Sequence, residues 1–235
     1  MPAVELSRED LAEGELEVLG RMPWSSNGTF LGCINGEGGQ IVVYKPRRGE
    51  RPLWDFPHGS LCAREVASFE LSEALGWSIV PETVLRDGPL GTGSVQRFVE
   101  HDPDEHYFTL LETHEEAFRK FAVFDVLANN ADRKAGHCLR AQSDGHVWGI
   151  DHGLTFHPQD KLRTVIWDFA GERLDAEHIE AVRRVAADGS LRDRLASLLS
   201  PVEADALVAR AEQLARAKRF PEPDPGYHSV PWPLV

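Results

Sequence analysis

Lys45, Glu65, Asp132 and Asp151 are the residues of this chain whose types and settings suit chemistry. Lys45 ends an apolar, β-branched run, QIVVYK, that lies downstream of a Ser/Gly-rich turn, PWSSNGT. Glu65 stands early in a helix-patterned stretch. Asp132 sits in Asn130-Ala131-Asp132-Arg133, an irregular segment after an apolar helical stretch. Asp151 sits in Ile150-Asp151-His152-Gly153, where a strand pattern ends. Phosphoryl transfer uses such a set, because its catalysis is mostly positioning and charge neutralisation. A loop of small residues lets backbone N–H groups approach phosphates. A strand lysine neutralises phosphate oxygens, and a helix glutamate holds that lysine. One aspartate orients or deprotonates an acceptor hydroxyl, and another binds Mg²⁺. Each piece alone has a plainer explanation: a solvated edge lysine, a surface ion pair, a turn. The weight lies in their joint occurrence, in this order, with these elements between them.

The elements that must position these residues can be read from pattern. Ser7, Glu9 and Asp10 before Leu11, Leu16 and Leu19 predict an amphipathic helix over 7–20, with Ser7 as its N-cap. TFLGCI and QIVVYK, joined by NGEGG, predict a hairpin over 29–45. Residues 46–60, rich in Pro and Gly, read as a loop. Residues 61–76 read as a helix closed by Gly76. Strands are expected at 79–86 and 94–100 around the turn DGPLGTG, and a buried helix at 112–129 around Phe118, Phe121, Ala122 and Val126. A short hairpin follows (CLRA, SDG, HVWGID), then helices at 175–187, 190–199 and 201–219, then an extended, proline-rich tail. Strands first and helices afterwards predict an α+β chain with a sheet-rich N-lobe and a helical C-lobe. The break falls near residues 100–105.

Length and composition set the outer bounds. The chain has 235 residues, 42% hydrophobic and 27% charged, with a net charge of −13. That suits one large domain or two lobes. Such acidity argues against a nucleic-acid partner, which needs a basic face. There is no apolar run of about 18 residues, hence no expected membrane span, and the acidic start does not read as a signal peptide. Cys33, Cys62 and Cys138 are odd in number and form no C-x-x-C pair. Reduced thiols and a cytoplasmic location are expected, with neither a disulfide framework nor a structural zinc.

The stretch NNADRKAGHCL followed by IDHGLTF resembles the catalytic and metal-binding segments of phosphatidylinositol 3-/4-kinase-like enzymes, with type II phosphatidylinositol 4-kinases as the nearest comparison. HipA-type kinases share the scheme more distantly, and the chain also resembles an uncharacterised actinobacterial group with this kinase-like character. PWSSNGTFL is similar to that family's phosphate loop, VVYKPRRGERP to its lysine strand, REVASFELSEALGWSIVPETV to the helix and strand that follow, and GSVQRFVE to the strand leading into its hinge. The likeness runs collinearly over about residues 22–170. It implies a two-lobed protein-kinase-like fold, with an N-lobe over 1–102, a C-lobe over 103–220 and a tail over 221–235.

The resemblance also implies roles. Ser25, Ser26, Asn27 and Gly28 would cap the triphosphate of ATP. Lys45 would contact phosphate with Glu65 as its partner. Gln96, Phe98 and Val99 would form the edge against adenine through backbone hydrogen bonds. Asp132 would face the acceptor, Arg133 would steady the loop or the product phosphate, and Asp151 would chelate Mg²⁺. One position departs from the family pattern Asp-Arg-x-x-x-Asn: His137 replaces the asparagine that serves as second metal ligand. The imidazole either ligates the metal, shifts preference toward Mn²⁺, or marks altered or lost catalysis.

Other features have bland explanations. His146, His152 and His157 near Asp151 do not give a closed zinc set. Trp148 and Trp167 read as packing residues, Trp167 with the further option of walling a nucleotide pocket. Lys45, Arg47, Arg48 and Arg51 form a small basic patch, either a solvated face or a meeting point for an anionic substrate. The helix 203–219, with Arg210, Arg216, Lys218 and Arg219, reads as exposed and amphipathic. The expected activity is ATP-dependent transfer to a hydroxyl, with Mg²⁺ or Mn²⁺. The acceptor is expected to be a protein or small molecule. Phosphatidylinositol is not favoured, because the family's cysteine-rich palmitoylation segment is replaced by the short loop RRGERPLWDFPHGS, where Trp54 and Phe56 read as packing rather than bilayer contacts. The alternative is a nucleotide-binding pseudokinase that acts as scaffold or sensor.

Overall fold

The computed structural model describes residues 7–23, 27–36 and 39–235. Its first helix is much shorter than the leucine spacing predicts. Helix α1 spans Arg8–Glu13, and Ser7 and Asp10 cap it reciprocally. Gly14 ends it in an extended conformation, and Leu16–Arg21 is strand β1 instead. Leu11 and Leu16 are five positions apart, so they share no helix face. Leu16 and Val18 alternate and pair with Ile34 and Gly32. Pairing with the hairpin overrides the local helical pattern.

The hairpin forms where expected, as β2 (Phe30–Ile34) and β3 (Gln40–Pro46). Helix α2 spans Leu61–Leu75 and is closed by Gly76 in the left-handed conformation, φ 71°. Strands β4 (Thr83–Gly88) and β5 (Gly91–Arg97) run deeper into their turn than the sequence suggests. Gly88 pairs with Gly91, which leaves Pro89 and Leu90 as a two-residue loop. The five strands form one antiparallel sheet in the order β1-β2-β3-β5-β4. Leu11, Leu16, Ile34, Val42, Tyr44, Val84 and Val95 form a small core on it.

Helix α2 is buried all round, with thirteen of its fifteen residues buried. It therefore lacks an amphipathic stripe and lies between the sheet and the helices beyond. Its Ala67, Phe69, Leu71 and Leu75 belong to the large core of the second lobe. Two polar clasps hold it there. Arg64, 1% exposed, pairs with Glu203, and Glu70 receives both Arg8 and Arg194.

The second lobe starts with a short helix, α3 (Tyr107–Leu110), which the sequence pattern does not reveal. Helix α4 (Glu115–Ala128) buries Phe118, Phe121 and Phe124 in the core. The small hairpin follows as β6 (Cys138–Arg140) and β7 (Val147–Gly149), then α5 (Ala176–Ala187), α6 (Gly189–Leu195) and α7 (Pro201–Ala217). Helix α7 buries Ala204, Leu207, Ala211 and Leu214, and Arg210 turns inward to donate to the Leu127 carbonyl at 2.9 Å. That residue is thus not part of a solvated face. The thiols of Cys33, Cys62 and Cys138 are free and buried. No helix among the described residues is long and apolar enough to cross a membrane.

One buried histidine sets a pH response. His178 on α5 is 1% exposed, packs edge-on against Trp77 at 5.6 Å, and has no hydrogen bond to either ring nitrogen. Burial lowers its pKa, against the pull of Glu116 and Asp175; Glu177 also raises it and Lys120 lowers it. As pH falls below the ordinary histidine value of about 6.5, the unfolded chain takes up a proton that the folded chain refuses. Stability is lost over that range and on toward the lower folded value. His178→Phe is expected to blunt the fall in melting temperature between neutral and mildly acidic pH. An equal fall in both proteins would refute it.

Candidate active site

Helix α4 delivers the first part of the site. Asn129 caps it in the left-handed conformation, φ 50°. The Asn129 amide donates to the carbonyls of His157 and Gln159 and accepts from the Lys161 N–H. The Asn130 side chain donates to Asp125, and its Oδ1 accepts the Asp132 N–H at 3.0 Å. The chain leading into Asp132 is thus fixed.

Arg133 turns the other way. It is fully buried and paired with Asp125, with Oδ1 at 2.9 Å from its Nη2. The same nitrogen donates to His152 Nε2 at 2.7 Å. Thr164 also donates to Asp125. Of the two roles the resemblance implies for Arg133, this geometry matches support of the loop. The guanidinium is withdrawn from the cavity that Asp132 lines.

Asp151 adopts φ 59°, a conformation that non-glycine residues rarely occupy outside constrained sites. Its carboxylate lies 3.0 Å from Lys45 Nζ and 3.5 Å from His137 Nε2. Lys45 also meets Glu65 at 2.5 Å. The second oxygen of Glu65 accepts the His152 N–H at 2.9 Å. Glu65 therefore ties β3, α2 and the segment around Asp151 together. Burial pulls the Lys45 pKa down, but Asp151 and Glu65 outweigh it and hold it above the ordinary lysine value. Lys45 holds Asp151 well below the carboxylate range, so Asp151 is ionised. Burial raises Glu65 against the pull of Lys45.

His137 is held neutral near pH 7, because burial pushes its pKa down to about 4. Its Nδ1 accepts the Lys134 N–H at 3.4 Å, which leaves the proton on Nε2, toward Asp151. Asp132 is raised by burial, partly offset by Lys134 at 3.0 Å.

Two adjoining hollows share Lys45 and Asp151. One, of about 280 Å³, is lined by Asn27, Gly28, Glu65 and Asp132. The other, a cleft of about 540 Å³ between the lobes, is lined by Gln96, Phe98, Val99 and His137. Asn27 and Gly28 are anchored rather than open. Asn27 accepts the Arg51 N–H at 3.0 Å, and Gly28 gives its N–H to the Gly49 carbonyl at 2.8 Å. A Cβ on Gly28 would sit 2.9 Å from the Gly49 Cα, so the close approach of these two backbones requires glycine at both positions. Ser25 and Ser26 lie outside the described residues. In the hinge, Gln96 uses its amide on Thr83, and Phe98 gives its N–H to Ile41.

The remaining candidates scatter. His146 Nε2 donates to the Ser78 carbonyl at 2.9 Å, and among the described residues no three His, Cys, Asp or Glu gather as a metal cluster. Cys62 lines the smaller hollow, but burial pushes its thiol up to about 11. Trp54 is 92% exposed, which overturns the packing expectation, while Phe56 is buried as expected. The Trp54 ring instead lies on the surface, its centroid 5.0 Å from Lys161 Nζ. Trp167 does not line the cleft but donates to the Ser229 carbonyl at 3.0 Å. Sequence reasoning missed Asp125, whose only signal was a carboxylate on the otherwise apolar face of α4.

The comparisons agree with this architecture. Hydra Fam20 with sugar superposes with a TM-score of 0.63 at 15% identity, covering 89% of this chain and 86% of that one. The Helicobacter pylori proinflammatory kinase CtkA gives 0.56 at 12% identity, covering 90% and 95%. The Golgi casein kinase with Mn/ADP bound gives 0.56 at 14% identity, covering 89% and 74%. These likenesses show a two-lobed kinase-like fold. Protein Rv2133c of Mycobacterium tuberculosis, an actinobacterium, is 40% identical over 262 aligned positions, covering 95% of this chain and 93% of that protein. The family model for phosphatidylinositol 3- and 4-kinase matches residues 82–203, just over half of the chain and the part that carries Asp132 and Asp151. On that match, the chain belongs to the phosphatidylinositol 3- and 4-kinase family.

Proposed function

We propose that the chain is a phosphotransferase that moves the γ-phosphate of ATP to a hydroxyl. The carrying observation is that Lys45, Glu65 and Asp151 meet in one connected ion-pair system, with Asp132 lining the same hollow. The cleft beside Gln96, Phe98 and Val99 takes the base, and the smaller hollow takes the terminal phosphate and the acceptor. Asp132 orients the hydroxyl and accepts its proton. Lys45, held by Glu65, offsets charge on the phosphate oxygens. Arg133 holds the loop from behind. Residues up to about 102 form the nucleotide-holding lobe and 103–220 the lobe that carries the aspartates.

A divalent cation fits the donor set. Asp151 is ionised, half-exposed and aimed into the hollow, as a hard cation requires of an oxygen ligand. Bound there, Mg²⁺ or Mn²⁺ would supply charge neutralisation to the phosphates. The Golgi casein kinase, solved with Mn and ADP, supports nucleotide and metal use in this fold. The acceptor is a protein or small molecule rather than phosphatidylinositol. Support comes from the loop RRGERPLWDFPHGS, which is short and holds no cysteine where the family carries its cysteine-rich palmitoylation segment; Leu53 and Trp54, exposed on that loop, are the surface that the vesicle arm of the test probes.

The test is ADP or GDP release by purified protein with ATP or GTP, first with Mg²⁺ and then with Mn²⁺, beside Asp151→Asn. Slow turnover lost in the variant is expected, and phosphatidylinositol vesicles added to the assay should not raise it. Nucleotide binding without turnover under either metal would instead support the pseudokinase. Neither binding nor turnover would sink the site.

A further inference from the structure

The last residues of the sequence do not trail away from the fold. The Ser229 carbonyl accepts two hydrogen bonds, from the Thr164 N–H at 3.1 Å and from Trp167 Nε1 at 3.0 Å. The Leu234 carbonyl accepts the Ala135 N–H at 2.8 Å. Thr164 is itself bridged to Arg133, and Ala135 lies three residues beyond Asp132. The segment is therefore pinned to the loop that carries Asp132. Val235 packs over Gly136, where an added Cβ would lie 3.7 Å from its Cγ1.

This pinning brings Pro233 and Val235 to the wall of the 540 Å³ cleft, which Val43, Val99, Lys45 and Asp151 also line. Val235 remains 59% exposed. The hydrogen bond at Leu234 holds the adjoining backbone, and more than half of Val235 stays uncovered. An apolar face already held at a cleft has met part of its ordering cost before a ligand arrives. The cleft also keeps a volume within the usual range for small-molecule sites while the segment is docked. The segment lines the space and does not fill it.

We propose that residues 229–235 form one wall of the nucleotide cleft, with Pro233 and Val235 as binding residues that pack on the base or ribose. The inference rests on the nucleotide reading of that cleft. Apolar surface from Pro233 and Val235 meets the bound nucleoside in the cleft that Val43 and Val99 also line. The hydrogen bonds to Ser229 and Leu234 set the position of that wall. Nucleotide affinity thus depends on a part of the sequence outside the kinase motifs.

The experiment measures Mg²⁺·ADP affinity calorimetrically for the full chain and for the double variant Pro233→Ser, Val235→Ser. Neither substitution removes the backbone carbonyl of Leu234. A three- to tenfold loss of affinity is expected, of the order that lost apolar burial produces, with the melting temperature of the nucleotide-free protein unchanged. Trp167→Phe removes one hydrogen bond to Ser229 and should weaken binding in the same direction, with faster proteolysis of the tail. Unchanged affinity in the double variant, with nucleotide still bound, overturns the wall alone. Tighter binding overturns it too and makes the segment a competitor. Absence of nucleotide binding by the unaltered chain overturns both the wall and the nucleotide reading beneath it.

Discussion

Asp132→Asn is expected to lower turnover by about two to four orders of magnitude, the usual worth of a positioned general base. Nucleotide affinity should stay within about twofold. The separation follows from where the carboxylate stands. Asp132 lines the smaller hollow and not the cleft lined by Gln96, Phe98 and Val99. Asparagine keeps the backbone N–H bonded to Asn130 and keeps one oxygen for Lys134, so the loop holds its shape. What disappears is the charge that accepts a proton. Burial raises the pKa of Asp132, so the acid side of the rate profile should fall at a higher pH than an ordinary aspartate gives. The ionised form is the base, so activity rises with pH through that value. Steady-state turnover and calorimetric nucleotide binding on the same preparations check both halves. Wild-type turnover in the variant would remove Asp132 from the reaction. Equal losses in binding and turnover would mean that the loop, rather than the charge, had been disturbed.

How much of this was readable without coordinates depends on the range of the interactions. The helix over 61–76 was legible because Gly76 ends it locally. The hairpin of β2 and β3 was legible because its turn residues lie between two β-branched runs. Lys45, Glu65, Asp132 and Asp151 were legible as a collinear set, though only the fold shows Lys45 bridging Glu65 and Asp151. Where the sequence misled, a distant partner decided. Leu16–Arg21 became a strand because β2 offers it a ladder. Arg133 has the same sequence neighbours whether it faces phosphate or core, and Asp125, eight positions earlier, pulls it inward. The docking of Ser229 and Leu234 left no mark in composition, since backbone carbonyls carry no sequence signature. The type of Trp54 alone suggests packing, and type does not record that its ring meets Lys161 at the surface, on a distant part of the chain.

That dependence on Asp125 gives the largest expected effect on stability. Arg133 is fully buried, and Asp125 is the only carboxylate bonded to it among the described residues. Asp125→Ala leaves a guanidinium enclosed without a counter-charge and strips partners from Asn130 and Thr164 as well. Removing one member of such a pair costs about 3–5 kcal/mol. In a chain of this size that corresponds to a melting temperature lower by roughly 6–20 °C. Asp125→Asn keeps the shape and one acceptor, so its loss should be smaller but still measurable. Replacing both members with apolar residues, Asp125→Leu with Arg133→Met, should recover much of the stability, because the desolvation penalty goes with the charges. It should not recover activity. His152 would lose the donor to its Nε2, and the segment that places Asp151 would lose its anchor to the loop carrying Asp132. Denaturant unfolding and turnover of the three variants separate these effects. Stability restored together with turnover would show that the ion pair serves packing alone. Stability restored without turnover would show that it holds the two aspartate-bearing segments in register.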